Sequence, residues 1–154
     1  MDEHILSEAV NLLKQLISTP SVSREEKEAA DILQSFIESA GFQSHRHGNN
    51  VWCFSPHWDE QRPTLLLNSH IDTVKPVSAW QRPPFTPIEE DGRLYGLGSN
   101  DAGAPLCSLI TTFLALREKP QAYNLVLGIS CQEEVTGADG IDLLLSDLPS
   151  IDLA

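Results

Sequence analysis

Five ionisable residues in three short segments have the types and spacing to do chemistry together. His70 and Asp72 follow the apolar run TLLLNS, Asp101 lies in the glycine-rich segment GLGSNDAGA, and Glu133 and Glu134 follow the apolar run NLVLGISC. In open α/β sheets, ligands collect at the carboxyl ends of the strands, so we expect these segments to share one sheet edge. Imidazole and carboxylate are zinc ligands, and a cation would offset the repulsion between such groups. The sequence therefore predicts a metal site.

Each segment taken alone has a simpler interpretation. A histidine two residues before an aspartate is common in solvated turns, a Glu-Glu pair is common in polar loops, and an aspartate before a helix is most often an N-cap. His45 and His47 share one face of a predicted strand and could also hold a metal, but a solvated edge strand is the simpler prediction. Cys131, directly before the second polar segment, is interpreted as a small buried side chain.

The hydrophobic pattern predicts helices alternating with strands. In chain order, the predicted elements are a helix over 5–17, a helix over 29–37, strands over 42–47 and 49–55, a strand over 64–70, a hairpin over 88–96, a helix over 104–116, a strand over 124–131 and a helix from 140. Ser23 and Glu26 have the spacing of a capping box before the second helix. Together these elements predict an α/β fold with a mixed, largely parallel sheet covered by helices, and the run at 64–70 reads as a central parallel strand.

Composition bounds the function further. The 154 residues carry a formal net charge of −12, which argues against a nucleic-acid partner because no basic face could neutralise phosphates. No apolar run approaches the length needed to cross a bilayer, which predicts no membrane partner. The first residues lack the pattern of a signal peptide, and the 3 cysteines are far apart in sequence. These features predict a reduced, cytoplasmic protein of one domain.

Four motifs, in order, carry a resemblance to a known family. The segments LLLNSHIDTV, WQRPPF, DGRLYGLGSNDAGA and SCQEEVTG resemble the dinuclear-zinc family of acetylornithine deacetylases, succinyl-diaminopimelate desuccinylases, aminoacylases and glutamate-type carboxypeptidases. The resemblance extends over about residues 63–140, and acetylornithine deacetylases, or enzymes acting on another acyl-ornithine, look nearest. It implies a zinc amidohydrolase that releases ornithine from an N-acyl amino acid such as N-acetylornithine in arginine biosynthesis. Alternatives are a dipeptidase, carboxypeptidase or desuccinylase with the same metal chemistry, or a non-catalytic fragment of such an enzyme.

The resemblance also implies a role for each polar residue. His70 would bind one zinc ion, Asp101 would bridge two, and Glu134 would bind the second, with cobalt as an alternative metal. Glu133 would be the general base that takes a proton from the attacking water and passes it to the leaving amine. Asp72 would hydrogen-bond the far nitrogen of His70 and fix its tautomer.

The same resemblance implies what surrounds these residues. A non-proline cis peptide is expected between Asp101 and Ala102, and Gly103 stands where many relatives carry a lysine. In the family, a further acidic ligand, a last histidine and a lid domain that serves dimerisation follow the region matched here. Residues 1–154 are therefore predicted to be the amino-terminal part of a catalytic domain, inactive alone, from a protein that forms a homodimer through its lid domain.

Overall fold

The fold is a mixed sheet with helices on both faces. The structure is a computed structural model that describes residues 3–116 and 119–154. The helices are α1 (Glu3–Ser18), α2 (Lys27–Ser39), α3 (Ala104–Leu116) and α4 (Ile141–Asp147). The strands are β1 (Ser44–His47), β2 (Asn50–Phe54), β3 (Thr64–His70), β4 (Ile88–Glu90), β5 (Arg93–Tyr95) and β6 (Asn124–Ser130). Each predicted helix and strand is present, so the predicted α/β class is confirmed.

The main sheet has the strand order β1-β2-β6-β3. The β3–β6 pairing is parallel, whereas β1–β2 and β2–β6 are antiparallel, so the sheet is mixed and its parallel part is the β3–β6 pair. Every residue of β6 is buried, while most of β3 is half-buried. The prediction that residues 64–70 form the central strand is wrong, because β6 has that place. β3 lies at the edge of this sheet, and its outer side forms one isolated parallel bridge, between Leu65 and Leu153.

Three helices share one face of the sheet and α4 covers the other. The core on the first face joins α1, α2 and α3 to alternate residues of the central strand, Leu125, Leu127 and Ile129. On the opposite face, Gly128 makes room for α4, since a Cβ there would lie 3.2 Å from Cδ2 of the fully buried Leu144. Burial on both faces explains why β6 is a continuous apolar run. No helix within the described ranges has the length and hydropathy that a membrane span requires.

The predicted capping box is wrong. Helix α2 begins at Lys27, and the preceding Glu26 makes no side-chain capping bond. The Ser23 hydroxyl donates instead to Asp72, 2.7 Å away, and the Glu26 side chain is fully buried. Both side chains face the loops that leave the sheet. They therefore hydrogen-bond to residues distant in sequence, Asp72 and Gln132, and not to the amides at the start of α2. The three cysteines are buried free thiols.

Candidate metal and catalytic site

The site forms where the two parallel strands end. The register pairs His70 at the end of β3 with Ser130 at the end of β6, and the Ile71 N–H donates to the Ser130 carbonyl at 2.9 Å. Parallel strands end at the same sheet edge, so the segments that follow them leave the sheet side by side. The shared edge predicted from the sequence is therefore present.

The side chains of the predicted site approach one another closely. His70, Glu133 and Glu134 each offer a ligand atom, and these atoms all lie within 4.8 Å of one another. Asp101 Oδ1 lies 3.2 Å from His70 Nε2, and Glu133 Oε2 lies 3.8 Å from the same nitrogen. Asp101 thus reaches the histidine but stands outside the group of three. On distance alone, Glu133 is placed for a metal as well as Glu134 is.

Asp72 lies beneath this group and binds its backbone. The carboxylate is fully buried, and it accepts hydrogen bonds from the N–H groups of Glu133 at 3.0 Å and Glu134 at 3.1 Å. His70 Nδ1 lies 3.0 Å from the Asp72 carbonyl oxygen and 3.4 Å from its Oδ1. With Nδ1 as the donor to these oxygens, Nε2 faces the carboxylates of Asp101 and Glu133 and is the nitrogen that remains for a ligand bond.

The electrostatics of the site follow from these contacts. The hydrogen bond to Asp72 raises the pKa of His70 to about 9 against the opposing effect of burial, with further support from the charges of Asp72 and Glu133. Burial alone would raise the pKa of Asp72, but the hydrogen bonds from His70, Ser23 and the two loop amides outweigh it and lower that pKa to about 2. Asp72 is thus held as an anion and His70 is strongly basic in the absence of a metal.

The donor set fits a cation. Burial raises the pKa of Glu134, and the nearby charges of Asp101, Glu133 and Asp72 raise it further, while His70 opposes them. Among the described residues, none of the ion pairs with lysine or arginine involves these carboxylates. His70 is the basic side chain that pairs with these carboxylates, at Asp72, Asp101 and Glu133. One positive charge cannot balance several carboxylates, so a bound cation would reduce the repulsion that remains.

Asp101 lies in a tight turn whose backbone has an unusual peptide bond. The peptide bond between Asp101 and Ala102 is cis, as predicted. Gly98, just before the turn, has a φ of 75°, and a Cβ at this position would lie 2.7 Å from Thr73 Cγ2. The turn ends directly at the first residue of α3, and the Gly103 N–H donates to the Gly98 carbonyl at 2.8 Å. Asp101 is therefore presented by a turn that packs against the chain segment after His70.

The family is decided by the sequence of this same region. Residues 66–152, which include all five polar residues, match the model of peptidase family M20/M25/M40. The chain belongs to this family. A succinyl-diaminopimelate desuccinylase of Delftia acidovorans is 29% identical over 153 residues, which are 91% of this chain and 39% of that protein. The chain spans about two fifths of the length of the curated relatives it matches.

Solved structures share the fold of this M20/M25/M40 chain. Human carnosine dipeptidase 1 superposes with a TM-score of 0.78 at 19% identity, over 99% of this chain and 39% of the dipeptidase. The YXEP protein of Bacillus subtilis, described as a dinuclear metal-binding peptidase of family M20, has a TM-score of 0.69 at 17% identity, over 95% and 40% of the two chains. At these identities the likeness establishes the fold.

Two side chains near the family site were missed by the sequence interpretation. Ser23 donates to Asp72, and Glu26 accepts from the Gln132 N–H at 3.2 Å, directly before the glutamate pair. Their spacing is visible in the sequence, but by itself it indicates a helix cap. Only the fold brings residue 26 next to residue 132, because no local pattern links positions so far apart.

His45 and His47 lie in β1, an edge strand as predicted, and Cys131 is buried as predicted. The ring of His45 stacks on Trp52 with centroids 5.5 Å apart, and His47 Nδ1 lies 2.6 Å from Asp147 Oδ2, so neither joins a metal-binding group in the described part of the chain. Burial raises the pKa of Cys131 to about 12, and its thiol donates to the Asp139 carbonyl at 3.2 Å. Cys131 is thus a buried neutral thiol and not a ligand poised for metal.

The basicity of His70 predicts how the stability of the metal-free protein depends on pH. A folded-state pKa near 9, above the value of about 6.5 for an unfolded histidine, gives stability that is complete below pH 6.5 and is lost as the pH rises to 9. The expected loss is roughly 3 kcal/mol over this interval. Urea unfolding of the protein in a chelating buffer at several pH values measures it. In the His70→Asn variant the decline should disappear, and an unchanged decline would contradict the assignment to His70.

Proposed function

We propose that the whole protein, of which this chain is a part, is a metal-dependent amidohydrolase that removes the acyl group from an N-acyl amino acid. The first candidate substrate is N-acetylornithine, or another acyl-ornithine, with ornithine as the product in arginine biosynthesis. The observation that carries the proposal is the convergence of His70, Glu133 and Glu134 within 4.8 Å at the end of two parallel strands, in a chain of family M20/M25/M40.

Three residues are proposed to hold the metal. His70, Asp101 and Glu134 would hold two zinc ions, or cobalt in their place. The support is the donor set itself and the engagement of His70 Nδ1 with Asp72, which leaves Nε2 for a ligand bond. When bound, the two ions supply Lewis acidity that polarises the scissile carbonyl and activates a water molecule.

Glu133 is proposed to transfer a proton, and Asp72 is proposed to hold His70 and the glutamate pair in position. Glu133 has an exposed side chain on a backbone fixed by Asp72, so its carboxylate can turn toward the substrate. It takes one proton from the attacking water, whose oxygen joins the acyl carbon, and delivers it to the amine nitrogen as the C–N bond breaks. Asp72 keeps its charge, holds the tautomer of His70 and fixes the backbone of the glutamate pair.

A second candidate substrate has support of its own. Two succinyl-diaminopimelate desuccinylases are 29% and 31% identical to this chain, over 91% and 88% of its length. This similarity favours an N-succinyl amino acid, hydrolysed by the same arrangement of residues. The two candidates differ in the acyl group and the amino acid, and so in contacts outside the five residues described above.

The wider setting is also a proposal. Residues 1–154 would form the amino-terminal part of the catalytic domain, and the whole protein would be a cytoplasmic homodimer that pairs through a lid domain. The substrate is a small molecule, and the acidic charge of the chain gives no support for a nucleic-acid partner. This arrangement would bring the missing metal ligands and most substrate contacts from the rest of the protein.

Substrate hydrolysis by the full-length protein tests the proposal. The zinc-loaded protein is incubated with N-acetylornithine, N-succinyl-diaminopimelate and a dipeptide, and release of the free amine is followed. We expect kcat/KM for N-acetylornithine to exceed the other values by about ten-fold or more. The 154-residue chain alone is the control and should be inactive with weak zinc binding, because three ligands cannot complete two zinc sites. A preference for the succinyl substrate would select the second candidate, and turnover of the dipeptide alone would contradict both.

A further inference from the structure

The carboxylate of Glu26 is buried and does not belong to the group that could hold a metal. Its side chain has no exposed surface, and among the described residues it forms no ion pair with a basic side chain. Oε1 accepts the N–H groups of Arg24 at 2.6 Å and Gln132 at 3.2 Å, and Oε2 accepts the side-chain amide of Asn49 at 2.9 Å. Burying a carboxylate is costly, so these three donors are what keep it in place.

Glu26 and Asp72 together hold three consecutive peptide groups. The Gln132 N–H donates to Glu26, and the next two N–H groups, of Glu133 and Glu134, donate to Asp72. Gln132 has a φ of 56°, a left-handed conformation that is uncommon outside glycine and needs support from its surroundings. The loop that presents the two glutamates is therefore anchored at its first residue by Glu26.

The anchor and the Asp72 network come from the same short segment. Ser23, three residues before Glu26, donates its hydroxyl to Asp72 at 2.7 Å. The Ser23 N–H also donates to the carbonyl of Thr73 at 3.3 Å, which ties this segment to the chain after His70. The segment over 23–26 thus contacts both loops of the site, one through Ser23 and the other through Glu26.

We propose that Glu26 is a positioning residue for the glutamate pair. It touches neither substrate nor metal, and it acts through the Gln132 peptide group, whose orientation sets the directions in which Glu133 and Glu134 leave the backbone. This inference rests on the function proposed above for the site. Small displacements of reacting groups are costly, since a misplacement of about 1 Å can lower a rate by about 10²-fold.

Three variants separate positioning from stability. Glu26→Ala removes the acceptor of the Gln132 N–H. Glu26→Gln keeps one carbonyl oxygen for the two backbone N–H groups and gives up only the acceptor of the Asn49 side-chain amide. Asn49→Ala is the matched control, because it removes a hydrogen bond from Oε2 of the same carboxylate and leaves Oε1 to accept the Gln132 N–H.

The experiment uses the full-length, zinc-loaded protein, with kcat, KM, thermal stability and the zinc dissociation constant measured for each variant. For Glu26→Ala we expect kcat to fall about 10- to 100-fold, KM to stay within about two-fold, and the zinc dissociation constant to rise about ten-fold. Glu26→Gln should keep kcat within about three-fold of wild type, and Asn49→Ala should lower the melting temperature while kcat stays unchanged. Wild-type kcat and zinc affinity in a folded Glu26→Ala protein, or a Glu26→Gln protein as impaired as Glu26→Ala, would overturn the proposal.

Two further measurements keep the outcome decisive. If Glu26→Ala does not fold, Glu26→Asp replaces it. A carboxylate shortened by one methylene cannot reach Gln132 and Asn49 together, so kcat and zinc affinity should fall in this variant too, to a smaller degree. Zinc affinity needs no substrate. If the wild-type protein hydrolyses no N-acyl amino acid, the proposed function fails. The positioning role is still supported if zinc binding is weaker in Glu26→Ala and normal in Glu26→Gln. Equal zinc binding in all variants overturns it.

Discussion

Replacing Glu133 with alanine is expected to lower kcat by about 10²- to 10⁴-fold while the protein keeps its metal. The side chain of Glu133 is 59% exposed, and its Oε2 lies 3.8 Å from His70 Nε2, so it borders the site and has room to turn. Without this carboxylate, no group at the same position can take the proton of the attacking water. The backbone hydrogen bond from residue 133 to Asp72 does not depend on the side chain, so the loop should keep its shape.

Glu134→Ala is the matched variant and should lose metal. Its carboxyl group has a raised pKa, which indicates surroundings that disfavour a bare negative charge and would favour a bound cation. Metal content after dialysis and steady-state rates are measured for both variants, with Glu60→Ala as a control at the opposite end of β3. The comparison is demanding because both glutamates belong to the same 4.8 Å group. Equal metal loss in the two variants would show that the proposed division of roles is wrong.

The location of the site could be predicted because two strong patterns coincide. The apolar runs that became β3 and β6 each end in ionisable residues, and parallel pairing places both ends at one edge. The predicted elements followed from hydrophobic period and turn residues, such as Asp91 and Gly92, whose positive φ values form the turn between β4 and β5. Local chemistry determines such features, so the sequence contains them.

Other features depend on pairing between distant residues, which leaves no local pattern. Residues 64–70 and 124–130 are both apolar runs, and only the strand order places the second at the centre of the sheet. The capping-box spacing of Ser23 and Glu26 was real, but its polar groups bond to Asp72 and Gln132 instead of to the helix. Distances within the site could not be predicted from the sequence either. Asp101 contacts His70, yet the three residues whose ligand atoms lie within 4.8 Å of one another include Glu133 and not Asp101.

Asp72→Asn is expected to lower metal affinity and activity about 10- to 100-fold, and to lower the free energy of unfolding by about 1–3 kcal/mol. Each oxygen of the buried carboxylate accepts a backbone N–H, Oδ1 from Glu133 and Oδ2 from Glu134. An asparagine must put its NH₂ group in the place of one oxygen, so one backbone donor of the glutamate loop would face another donor. The same exchange removes the negative charge that holds the proton of His70 on Nδ1, which frees Nε2 to carry it and so weakens the nitrogen as a ligand.

Ser23→Ala is the control, because it removes the hydrogen bond from the Ser23 hydroxyl to Asp72 and leaves the carboxylate charged. We expect it to cost about 1–2 kcal/mol of stability with activity within about three-fold of wild type. Metal titration, urea unfolding and steady-state rates of the two variants in the full-length protein make the comparison. If Asp72→Asn keeps wild-type metal affinity at the stability of Ser23→Ala, then the charge of Asp72 supports only the fold. Both variants disturb the same buried network, but only Asp72→Asn changes its charge. If metal affinity falls further in Asp72→Asn than in Ser23→Ala, then Asp72 acts on the metal ligands themselves.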